Sequence, residues 1–148
     1  MPIDSEYSER FLEVTRASAT KDDSLSVVHA AFDAIIRGDF EAFGQALADG
    51  VELKISGFGG AGLDALDGAW QGRDAVVAAT RKNFAMLAGQ KPEIESMIRE
   101  GDRAAVLLRE NGVVKSNGKA YSVRGVQWFT FAGGKISRID EIVANHPV

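Results

Sequence analysis

The sequence predicts an α+β domain, with helices first and a mainly antiparallel sheet after them. Three observations predict it. Up to residue 87 the apolar residues mostly recur at three and four positions, the period of a helix face, whereas beyond residue 94 they alternate in twos, the period of a strand. Between the later segments stand Asn111-Gly112, Asn117-Gly118 and Gly133-Gly134, dipeptides that reverse a chain tightly and leave no room for crossover helices. A chain of 148 residues with 45% hydrophobic content can also bury a real core.

Residues 1–22 form a helical extension, with Tyr7, Phe11, Leu12 and Val14 at roughly helical spacing behind a cap at Asp4 or Ser5; the spacing predicts a loosely attached helix. Polar residues 21–24 break it, and Asp22, Asp23 or Ser24 caps a second helix over 25–37. Its stripe is Val28, Ala31, Phe32, Ile35 and Ile36, and Gly38 ends it. Asp39 then caps a short helix carrying Phe40, Phe43 and Leu47. Residues 51–56 alternate as a strand, and six glycines between Gly57 and Gly72 mark a flexible flap in which Trp70 packs as a lid over the core and Asp64 and Asp67 are solvated. A third long helix covers 73–87, closed by Gly89 and Pro92. The remainder reads as strands, with turns at Gly101-Asp102, within 110–119, and at residues 132–134. Residues 23–148 thus make one domain.

Composition excludes several function classes. A net charge of -4 with no run of Lys or Arg argues against nucleic acid, whose phosphates need a concentrated basic patch. The absence of cysteine removes disulfides, thiolate catalysis and cysteine-bound metals. His29 and His146 are too far apart to suggest a metal site, so neither metal nor cofactor is expected. The P-loop ending is missing from the glycine-rich stretch. No apolar run approaches membrane-spanning length and residues 4–10 hold four charges, which places the protein in the cytoplasm.

The C-terminal strand pair carries the functional signal. On its first arm Tyr121, Val123, Gln127, Phe129 and Phe131 share one face, and Arg124, Val126, Trp128 and Thr130 share the other. The second arm puts Ile139, Glu141 and Val143 together, so each arm contributes one polar group, Gln127 or Glu141, among apolar neighbours. That pattern predicts a lined cavity on one side. On the other side, Trp128 beside Val126 predicts a homodimer through the outer sheet face.

Three stretches carry a resemblance. The helix over 27–39 ending in Gly38-Asp39, the segment Gly68-Ala69-Trp70-Gln71-Gly72-Arg73-Asp74-Ala75, and Phe129-Thr130-Phe131-Ala132-Gly133-Gly134-Lys135-Ile136 together resemble the SnoaL-like branch of the nuclear transport factor 2-like superfamily, over about residues 24–144. The resemblance implies a cone: a strongly bent, mostly antiparallel sheet wrapped around the helices, with an internal pocket. It also implies a small, mostly apolar ligand, with acid/base turnover of isomerase, cyclase or hydrolase type, or else a non-catalytic binding or dimerisation module. Carried over by position, Glu141 falls at the general base of SnoaL-type cyclases and Gln127 at their pocket histidine. The Arg-x-Asp of limonene-epoxide hydrolases falls on Arg109-Glu110-Asn111, where the arginine matches and the acid does not. The carboxylate, acid and tyrosine places of ketosteroid isomerases fall on Ile55, Gln127 and Ala31, which departs from that chemistry. Glu141 and Arg109 are therefore the expected catalytic pair. Gln127, Trp70, Phe129, Tyr121 and Phe32 are the residues expected to bind the ligand.

Overall fold

The computed structural model describes residues 3–19 and 23–147; the break and cap expected at Lys21 and Asp22 lie outside them. In order come α1 (Ser5–Ala19), α2 (Asp23–Ile36), α3 (Phe40–Gln45), β1 (Leu47–Ser56), two single 3-10 turns, β2 (Gly68–Gln71), α4 (Arg73–Ala85), β3 (Leu87–Glu100), β4 (Arg103–Val114), β5 (Ala120–Ala132) and β6 (Lys135–Asn145). The six strands form one curved sheet in the order β2-β1-β6-β5-β4-β3. From β3 to β6 it is an antiparallel meander, as the turn dipeptides predict, while β1 lies parallel to β6. Helices pack on the inner face of this sheet. The core there joins Val28, Phe32 and Ile35 of α2 to Val106, Phe129 and Ile139 of the strands.

Capping follows the sequence closely. Asp4 accepts from the Glu6 amide at 3.0 Å and opens α1; Asp39 accepts from Ala42 at 3.0 Å and opens α3. Gly38 takes φ 72° between α2 and α3, a left-handed step that glycine makes without strain.

Five expectations need correcting. α1 is no loose appendage, because Phe11 and Leu12 are buried, the Phe11 and Phe32 rings meet edge to face at 4.8 Å, and Thr15 shares a 2.6 Å hydrogen bond with His29. β1 starts at Leu47 rather than 51, since Leu47 and Val51 are both fully buried. Asn111 and Gly112 lie inside β4 instead of at a turn. Here the glycine answers a packing need: a Cβ on Gly112 would stand 3.0 Å from both the Tyr121 hydroxyl and the Ala88 carbonyl oxygen. Gly89 and Pro92 belong to β3 rather than to a helix end, with Gly89 at φ 59° in a register shift between Ala88 and Lys91. Finally, the glycine-rich stretch is a built segment. Phe58, Leu63 and Leu66 are buried, β2 pairs with β1, and the Asp67 carboxylate accepts from the Phe58 and Gly59 amides, each at 2.9 Å. Asp67 is thus a staple of the loop and not a solvated charge.

Among the described residues no helix is long and apolar enough to cross a membrane.

Candidate functional site

Between helices and sheet lies a cavity of about 150 Å³. Phe11, Phe32 and Ile35 close it from the helices, Leu53 and Ile55 from β1, and Phe58 and Leu66 from the loop. The sheet contributes apolar Val123, Phe129, Ile139 and Val143. Against this lining four long polar groups stand out: Gln127, Glu141, Glu110 and Gln90.

Strand register brings the first two together. Gln127 is directly opposite Glu141 across the β5–β6 pair, and in an antiparallel pair directly opposed residues share a face. Gln127 Nε2 donates to Glu141 Oε2. Burial pushes the Glu141 carboxyl up to about 7; the Gln127 hydrogen bond works against that, while the charges of Glu110 and Asp67 add to it. Such a group divides its time between acid and base near neutral pH.

Glu110 forms a second polar centre. Its Oε2 accepts from the Tyr121 hydroxyl at 2.7 Å and from Gln90 Nε2 at 3.2 Å. Desolvation raises this carboxyl as well, and the two hydrogen bonds pull it back in part. Tyr121 is itself held above its ordinary value, mainly by burial and then by the charge of Glu110.

The residues expected from sequence are therefore divided by the structure. Gln127, Glu141, Phe129 and Phe32 meet in the cavity. Tyr121 is buried behind it and reaches it through Glu110. Trp70 does not line it; from the edge strand β2, opposite Leu53, it packs against the core and folds its ring back over Gly68, whose added Cβ would lie 2.8 Å from it. Arg109 is excluded from the cavity too. Its Nη2 pairs with Glu93 Oε2 at 2.7 Å, and the side chain is 53% exposed on the outer face beside Arg124. Alternation is the cause: with Val106 and Leu108 inward, Arg109 must point out and Glu110 in. That same period could have found Glu110 in the sequence. Gln90 had no such signal, because it enters the cavity through the irregular register after Gly89.

A cone of this topology has known counterparts. Residues 28–139 match the model of the SnoaL-like domain, and the chain belongs to that family. An NTF2-like protein of unknown function from Burkholderia pseudomallei superposes with a TM-score of 0.69 at 22% identity, covering 81% of this chain and 89% of that one. A protein assigned as a SnoaL-like polyketide cyclase, from Jannaschia sp. CCS1, gives 0.68 at 18% identity, with 81% and 84% covered. AclR from Streptomyces galilaeus, assigned as a hydroxylase, gives 0.63 at 14% identity, with 84% and 81% covered. At these identities the likeness is one of fold. No protein of curated function matches the chain.

Proposed function

We propose that the cone binds a compact, mostly apolar molecule and turns it over by general acid/base chemistry at Glu141, in a reaction of isomerase, cyclase or hydrolase type. The observation that carries this reading is the half-buried Glu141–Gln127 pair in a cavity whose lining is mostly apolar. Ionised Glu141 takes a proton from an activated carbon or from water, and Gln127 holds the carboxylate through Oε2, so that Oε1 is the oxygen left for the substrate. A positioned base of this kind contributes roughly a hundredfold to ten-thousandfold in rate. The cyclase assignment of one structural relative is in keeping with such chemistry.

Glu141→Gln tests it, because the amide keeps the shape and can still pair with Gln127. A substrate screen of the wild type, followed by the variant, should show turnover lost and ligand affinity kept. Full activity in Glu141→Gln would end the catalytic reading and leave a non-catalytic ligand-binding module in its place.

We also propose that the outer sheet face pairs with a second copy of the chain. Two neighbouring rows there are apolar: Ile98, Ala105 and Trp128 in register, then Leu107, Val126 and Ile142. Ile98 is 64% exposed, Ile142 56% and Trp128 39%. The ion pairs Arg109–Glu93 and Arg124–Glu95 stand beside them as a polar rim.

A further inference from the structure

The two polar centres of the cavity are built alike. In each, a glutamine amide nitrogen donates to one oxygen of a glutamate, Gln127 to Glu141 and Gln90 to Glu110. In each, the amide oxygen is buried without a hydrogen-bond partner. Neither glutamate's Oε1 takes a hydrogen bond among the described residues. Gln90 is the sharper case, at 2% exposure, with its backbone also fixed: its carbonyl oxygen accepts from the Asp4 amide at 2.7 Å. Leaving a buried acceptor unpaired is costly, because its lost hydration is not replaced. In a ligand cavity such an atom points to a donor that arrives with the ligand.

We propose that Glu110 and Gln90 form a second binding station in the cone, which takes a hydroxyl group at the far end of the bound molecule. The hydroxyl donates to Gln90 Oε1, the buried acceptor that Glu110 holds in place through the Gln90 amide nitrogen. This rests on the reading that the cone holds an apolar molecule, and it specifies that molecule further. Oε2 of Glu110 already accepts from Tyr121 and Gln90, which holds the Gln90 amide so that Gln90 Oε1 stays the unpaired acceptor of the station. An unpaired acceptor suits a hydroxyl, which can donate to it. Along β5 the two stations stand at Val123 and Gln127, four positions and roughly 13 Å of strand apart, which the long side chains shorten. The ligand class that fits is a small ring system with a hydroxyl at one end and its reacting group at the other.

Titration calorimetry on the whole chain tests this with two pairs of probes, phenol against hydroquinone and 2-naphthol against 2,6-dihydroxynaphthalene. In the pair whose length spans the stations, the second hydroxyl should tighten binding about tenfold, and Gln90→Met should abolish that gain, read as the ratio of diol to mono-hydroxy affinity within the same variant. If the mono-hydroxy probes bind the wild type and neither diol gains, the station is refuted and the cone reading stands. If no probe binds, both fall. A gain that persists in Gln90→Met overturns the assignment to Gln90, and the wild-type comparison decides the matter even where that variant does not fold.

Discussion

Glu141 makes the stability of the fold depend on pH in a direction opposite to that of an ordinary surface carboxylate. Its folded value lies near 7 against an ordinary 4.5, so between those limits the unfolded chain has released a proton that the native state keeps. Stability is then full below about 4.5, falls as pH rises towards 7, and is level above it; Glu110, also raised, acts in the same direction. Urea unfolding at pH 5 and pH 8 should differ by on the order of 2 kcal/mol, with Glu141→Gln reducing the difference. A native state that grew more stable across this range would sink the buried acid. How far such residues can be read from sequence depends on regularity. Gln127 and Glu141 were legible because each is the single polar member of an alternation, whereas Arg109 was misplaced because it was carried over by position from the resemblance, while the alternation with Val106 and Leu108 turns it to the outer face.

At the scale of elements, the bend of the sheet leaves no room on β5 at one point. A Cβ on Gly125 would stand 2.1 Å from the Ile142 carbonyl oxygen and 2.6 Å from the Val143 Cα, so the two backbones come closer there than any side chain allows. Gly125→Ala should cost at least about 2 kcal/mol in chemical denaturation, a severe effect for one methyl group, through displacement of β6. Unchanged stability would mean that the strands part without loss. The long helices and the later strands were legible from the two periods and the caps, while β2 was hidden in the glycine-rich stretch. Boundaries failed where glycine did something other than end an element: Gly112 leaves room for Tyr121 and the Ala88 carbonyl, and Gly89 makes a positive-φ step at a register shift inside β3.

For the whole molecule, the parallel seam between β1 and β6 closes the cone, and nothing local in the sequence announces it. What the sequence does show is a sheet apolar on both sides. Sedimentation velocity at micromolar concentration should give a dimer, and Trp128→Glu a monomer that keeps its fold, since the substitution sets a charge among Ile98, Val126 and Ile142 on the outer face. A wild-type monomer under those conditions would leave the exposed rows unexplained and remove the dimer. Helix packing at α1 belongs to the same scale: its Phe11 joins the cavity wall, so the extension shapes the site it had seemed only to adjoin.

The seam also sets an order of assembly. Glu52 and Arg138, joined across it by an ion pair at 2.6 Å, are 86 residues apart in the chain. A ribosome releases β1 long before β6, and at roughly 5–20 residues per second the wait for the missing strand is roughly 4–16 s. Throughout that interval β1 has one bare edge, and the carboxylate proposed as the base has not yet been translated. A chaperone that shields open strands therefore has several seconds in which to act on this nascent chain, and a transcript cut short before codon 135 would yield a sticky half-sheet with no Glu141 in it.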